Sequence, residues 1–183
     1  MSASSLSDEP LNPSPDVIVQ LVKRIVSERW PSESNQLSSY FARLGCELGP
    51  ASEPGNETPR GVTQGQFIMP RVAVENGSWA ALNEELFSLN LFAYGGAHGS
   101  STANVDAGYD AVRDGISAVF GPSPDENTDQ RGNRSAIWPA QETGISLYAH
   151  VTLAPVLQLS ASHEGRTAVY HRLIAQIPDL PRH

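Results

Sequence analysis

Two residue types are almost missing from this 183-residue chain: Cys46 is its only cysteine and Lys23 its only lysine. A single cysteine excludes an intramolecular disulfide and any thiolate metal cluster built within one chain. With one lysine, the positive charge rests on arginine, a compositional bias. Charge itself is scarce at 17% of residues, and its balance is acidic, 12 basic against 20 acidic for a net −8. Binding to a phosphate backbone needs clustered Lys and Arg, so nucleic acid is not an expected partner. No apolar run approaches the roughly 18 residues of a spanning helix, which excludes that kind of membrane protein. The Met1 to Pro15 leader lacks the basic start and apolar centre of an export signal, so a cytoplasmic location is expected. The acceptor-like triplets at Asn56, Asn76 and Asn133 then mark polar loops.

What is present is enough for a core. Apolar residues make up 39% of the chain at a mean hydropathy of −0.29, too apolar for a disordered protein. The length fits one domain, and no internal repeat is visible. The composition of Ser2 to Pro13 predicts a disordered leader over 1–13, with a single domain over 14–178 and a tail over 179–183. Ser14-Pro15-Asp16 is a helix start, and Ile18, Leu21, Val22, Ile25 and Val26 fall on one helical face. Trp30-Pro31 stops that helix. Leu37, Tyr40, Phe41 and Leu44 repeat the spacing before Gly45, so an N-terminal helical hairpin is expected.

Leu48 to Gly65 reads as a mobile connection. Beyond it the period changes to two. Gln66 to Met69 and Val72 to Glu75 are strand candidates with Asn76-Gly77 as a tight turn. Phe87, Leu89, Leu91 and Ala93 share one face of a strand over 86–94, whereas Trp79 to Leu86 reads equally as a helical turn or two. A third helix over 105–120 sets Val105, Tyr109, Val112, Ile116 and either Val119 or Phe120 inward and ends at Gly121-Pro122. After a polar loop from Ser123 to Arg134, three runs at 135–138, 145–151 and 156–161 predict an antiparallel meander. A last amphipathic helix over 166–177 turns Val169, Leu173, Ile174 and Ile177 inward, with a strand as the alternative that the Tyr170-His171 pair leaves open. The fold class is α+β: helical hairpin, antiparallel sheet, an inserted helix between strand groups, and a C-terminal helix.

Candidate chemistry is sparse. None of the five histidines sits in a nucleophile or metal signature, and His163-Glu164 with His171 is too loosely spaced for a metal site. No cofactor or metal is expected, and the chain is read as a non-enzyme. Gly95-Gly96-Ala97-His98-Gly99 follows a strand and precedes a helix, the place of phosphate loops. It lacks both the P-loop ending and the dinucleotide glycine spacing, leaving a flexible connection or a protein-contacting loop through Gly95, Gly96 and His98. Asp106, Asp110 and Asp114 form an acidic stripe at i, i+4, i+8, softened by Arg113. With Asp125, Glu126 and Asp129 it makes an acidic region able to steer a basic protein partner.

Arg24-Ile25-Val26-Ser27-Glu28-Arg29-Trp30-Pro31, followed by Leu37, Tyr40-Phe41 and Leu44-Gly45, resembles the opening of a family of small actinobacterial proteins. The later order, Phe120-Gly121-Pro122-Ser123-Pro124, polar loop, Ile137-Trp138 and strands, is similar to that family and to immunity proteins of polymorphic toxin systems. The resemblance covers about half of the chain and implies a toxin-neutralising, protein-binding role, like that of immunity factors against secreted NAD-degrading toxins. It carries no catalytic residue across. The expected protein is thus an interaction module, monomer or homodimer when free. The rival is an enzyme or small-ligand binder with a pocket between sheet and helices, using His98 or His150.

Overall fold

The computed structural model of the chain describes residues 10–53, 55, 58–74, 76–95, 101–152 and 154–176. Pro15 begins helix α1 (Pro15–Ser27), whose Ile18, Leu21, Val22, Ile25 and Val26 are all buried, as their spacing predicts. A short 3-10 turn (Ser34–Gln36) leads into α2 (Leu37–Leu44). Gly45 ends α2 in the left-handed region at φ 79°, with its N–H on the Ala42 carbonyl and the Cys46 N–H on that of Phe41, a Schellman closure. The helices are not arranged as a hairpin packed on itself. The main helical neighbour of α1 is α3, while α2 turns to the sheet, where Phe41 stacks on Phe67 at 5.3 Å.

Among the described residues, eight antiparallel strands form one sheet in the order β1-β2-β3-β4-β8-β7-β6-β5: β1 (Glu47–Ala51), β2 (Val62–Ile68), β3 (Asn76–Leu82), β4 (Glu85–Ala93), β5 (Asp125–Thr128), β6 (Arg134–Ala140), β7 (Thr143–His150) and β8 (Val156–His163). α3 (Thr102–Phe120) is inserted between β4 and β5, and α4 (Glu164–Ile174) follows β8. Helix then four-stranded meander therefore occurs twice, the two meanders meeting at β4 and β8. That duplication of topology leaves no trace in the residue pattern. α1, α2 and α3 cover one face of the sheet: Leu21 and Ile25 lie over Phe67, Leu89, Leu91, Leu159 and Ala161, and α3 packs on β6 to β8.

Several expectations are corrected. Val72 to Val74 carry no strand, and Asn76-Gly77 opens β3 instead of forming a turn. The turn is Asn83-Glu84, both residues at positive φ (49° and 72°), the geometry whose twist suits a two-residue hairpin. Trp79 to Leu86 is accordingly strand and hairpin. The presumed connection over 48–65 and the polar loop over 123–134 each hold an edge strand, β1 and β5. β5 buries no residue, so nothing in its composition announces it; pairing with β6 defines it. The leader packs down earlier than its composition predicts: Pro13 is buried, and the Tyr94 hydroxyl donates to the Pro13 carbonyl at 2.6 Å. α4 does not turn Val169 and Leu173 inward. Both are exposed, and α4 is attached through Arg166, Thr167 and Tyr170; Ile177 lies outside the described residues.

Gly108 is where α3 meets Tyr94, and a β-carbon there would collide with the Tyr94 ring. Gly108→Ala is expected to destabilise by about 1–3 kcal/mol through overpacking, despite alanine's better helix propensity, as read by urea unfolding. Stabilisation would show that Tyr94 can yield without cost.

Candidate interaction surface

Three rows of five residues cross the sheet face turned away from α1 to α3. The first is Ser78, Asn90, Ser160, Ser146 and Ile137; the second is Asn76, Phe92, Gln158, Tyr148 and Ser135; the third is Ala80, Ser88, Ser162, Gly144 and Pro139. Each residue stands opposite the next across the ladder, and none is buried. Strict alternation puts them there, since Leu89, Leu91, Ile145, Leu147, Leu157 and Leu159 take the helix-covered side. None of the fifteen is charged. A solvated surface of 25–35% charged residues would place about four charges on as many positions. Acids stand at the margins of the face: Asp125 of β5 is opposite Ile137, Glu47 of β1 is opposite Ile68, and the Glu164 side chain at the start of α4 reaches the space beside Gly144.

Hydrogen bonds tie the middle of this face together. The Ser160 hydroxyl donates to Asn90 Oδ1 at 2.6 Å, Gln158 Nε2 donates to Ser160 Oγ at 3.1 Å, and Asn90 Nδ2 donates to Ser88 Oγ at 3.4 Å. His150 Nε2 lies 3.1 Å from Gln158 Oε1, and the His150 ring stacks on Tyr148 at 6.1 Å and 21°. A chain of side chains across β4, β8 and β7 is thereby held in place while keeping free lone pairs and donors. At one end of the face a bulge between Ala80 and Ala81 lets Phe87 join Val62 and Leu82 in a small apolar cluster. α4 covers it, with Tyr170 stacked on Phe87 at 4.8 Å. Sequence reasoning did not single out this surface, because it exists only once β4 is placed beside β8.

Of the sequence candidates, Asp125 reaches the rim of this face and the other described ones lie elsewhere. Gly96 and His98 are outside the described residues; Gly95, two residues past the end of β4, lies against Pro155 and Val156. Asp106, Asp110 and Asp114 do form a stripe on α3, away from the open face, and two arginines occupy it. Arg134 Nη2 donates to Asp110 Oδ1 at 2.6 Å, its Nη1 is 3.9 Å from Asp106, and its guanidinium lies 4.2 Å over the Tyr109 ring. Arg113 bonds Asp114 at 2.8 Å and sits 4.0 Å from Glu126. Asp125 and Glu126 are exposed on β5. Asp129 organises the β5–β6 turn, accepting from the N–H groups of Arg131 and Asn133 at 2.8 and 2.9 Å.

The hydrogen bond from Arg134 holds the Asp110 carboxyl below its ordinary range. A carboxylate depressed in the folded state stabilises above its unfolded pKa and loses that contribution as pH falls through the folded one. Arg134→Met is therefore expected to lose up to about 1 kcal/mol of pH-dependent stability near neutrality, Asp110 being half exposed. The gap between variant and parent should narrow toward about pH 2, as compared by urea unfolding at both ends.

Two hollows flank the 69–74 segment and share Met69 and Val72. One, of about 360 Å³, lies against Phe67, Ile68 and Gly77; the other, of about 280 Å³, lies between α1 and the end of α2, with Asp16, Gln20 and Arg24 at its lining. His150 borders neither. Burial pushes the Cys46 thiol up to about 11, so it is a filler and no nucleophile at neutral pH. Among the described residues no group of three His, Cys, Asp or Glu is placed to hold a metal ion, and no helix is long and apolar enough to cross a membrane. No family model, curated protein or solved structure matches the chain.

Proposed function

We propose that the chain is a non-enzymatic protein-binding module whose contact surface is the open face of the sheet. The observation that carries this reading is the absence of charge over three rows of half-accessible residues in an acidic protein. Depletion of charge, with aromatic residues among adaptable polar ones, is the composition of a contact surface. Serine is uncommon in most interfaces, yet the mixture of Ser, Asn, Gly and Tyr is that of antibody paratopes, where small hydroxyls and amides adapt while rigid aromatics anchor. Phe92 and Tyr148, on either side of Gln158, are the anchors of this face.

The acidic stripe is a poorer basis for binding, because Arg113 and Arg134 already occupy it. If the module neutralises a toxin, as the immunity-protein resemblance implies, the open face is the part that covers the toxin's active site, in the cytoplasm. The test is a photoreactive benzoylphenylalanine at Ser146, compared with one at Ala107 on the exposed side of α3, irradiated in the native cytosol. Protein adducts are expected from Ser146 alone. Adducts from Ala107 and none from Ser146 would overturn the assignment. A second reading, a small-ligand binder, draws on the two hollows sharing Met69 and Val72. Native mass spectrometry of the purified chain separates it, since a retained metabolite would appear as an added mass.

A further inference from the structure

We infer that the open face seats a second copy of this chain, a proposal that rests on that face being a protein contact surface. Charge is the first ground. Two copies of a chain of net −8 repel each other wherever acids face acids, and the fifteen uncharged positions offer an approach with acids only at its margins, at Asp125, Glu47 and Glu164. The acidic stripe of α3 is on the far side of the sheet. With a helix layer roughly 10 Å from the sheet in each copy, the two stripes stay well beyond the Debye length of about 8–10 Å.

Hydrogen-bond chemistry is the second ground. A two-fold contact brings a surface against itself, so each group must be able to meet its own kind. Ser, Asn, Gln and Tyr all both donate and accept, and apart from Phe92 and Gly144 they make up the interior of the face; an ammonium or a carboxylate could not pair with its own copy. Size is the third. A residue on one face of a sheet occupies roughly 30 Å², so the three rows span roughly 500 Å² per copy. Neighbouring Gln64, Gln66 and Asn127 extend the rows onto β2 and β5. α4, which stands over Phe87 at one end of the face, also exposes Val169 and Leu173, at 41% and 39%. At the same figure these residues bring the face to roughly 600 Å² per copy, about three quarters of what each partner contributes to a standard-size interface and enough for a weak to moderate dimer.

The test is light scattering of the purified full chain from about 1 μM to about 1 mM, a range that brackets weak and moderate self-association. The mass should move from one copy to two. Ser146→Asp and Ser146→Arg, which place a charge of either sign in the contact, should each weaken association roughly tenfold or more. Ala107→Asp, on the exposed side of α3, should leave it unchanged, and the unfolding midpoints of all three should stay near that of the parent. A chain that remains single throughout, or a dimer indifferent to both Ser146 variants, overturns the proposal. If it falls while the Ser146 photoprobe still joins another protein, the binding reading stands with a different partner. If no adduct forms either, both fall.

Discussion

Replacing Trp30 with alanine is expected to remove about 3–5 kcal/mol of stability, the largest single loss the fold predicts. Trp30 is 2% exposed where the α1 terminus meets the sheet, with Tyr40 at 6.3 Å and His163 edge-on at 6.0 Å. Its indole Nε1 donates to Thr143 Oγ1 at 3.0 Å, and Thr143 is itself fully buried at the start of β7. The ring therefore joins α1, α2 and the β7–β8 end of the sheet through both volume and a buried hydrogen bond. Trp30→Phe separates the two, keeping most of the volume while leaving the Thr143 hydroxyl unpaired, at about 1–3 kcal/mol. In the Trp30→Phe and Thr143→Val double variant neither partner remains to be orphaned, so its loss should be smaller than the sum of the singles. Urea unfolding of the four proteins reads this cycle. A loss under about 1 kcal/mol for Trp30→Ala would mean that the junction collapses freely around the gap.

The elements that were legible in the sequence are those whose burial repeats with a single period. α1 and α3 announce themselves because one stripe of each is buried, and the inward residues of β4, β7 and β8 do so by alternation. β1 and β5 were hidden for the opposite reason: edge strands of this sheet bury nothing, and only backbone pairing holds them. Phe87 follows the alternation of β4 in sequence, but the bulge turns it to the other face. The outward residues Ser88, Asn90, Ser146 and Ser160 read singly as solvated polar positions. They become a surface only because β4 lies beside β8, bringing together residues 70 positions apart in Asn90 and Ser160. Tertiary pairing likewise decides the acidic stripe, whose spacing was plain while its counter-charge, Arg134, arrives from β6. α4 departs most from its residue pattern, because its apolar spacing predicts inward burial whereas its attachment rests on hydrogen bonds from Arg166 and Thr167, with Tyr170 stacked on Phe87.

That polar attachment sets the second large effect, the release of α4 in Arg166→Met. No residue of α4 is itself buried, so the hydrophobic burial it contributes is limited to its cover over Val62, Leu82 and Phe87, made through Tyr170. Arg166 instead donates Nη1 to the carbonyls of Pro31 at 2.5 Å and Leu86 at 2.7 Å, linking α4 to the segment after α1 and to the β3–β4 hairpin. Its side chain is 17% exposed, so these are partly desolvated bonds from a charged donor, worth about 1.5–3 kcal/mol each with some loss to competing water. Methionine keeps much of the aliphatic stem and removes the donors. Amide exchange within α4 should then rise roughly a hundredfold, the equivalent of about 2.7 kcal/mol, while exchange in β4 and β8 changes far less. Lifting α4 uncovers Val62, Leu82 and Phe87, adding an apolar patch to the end of the open face. The variant should therefore bind a hydrophobic dye that the parent ignores. Uniform acceleration across the sheet would instead make Arg166 a clamp on the whole fold, and unchanged exchange would mean that Tyr170 and Thr167 hold the helix alone.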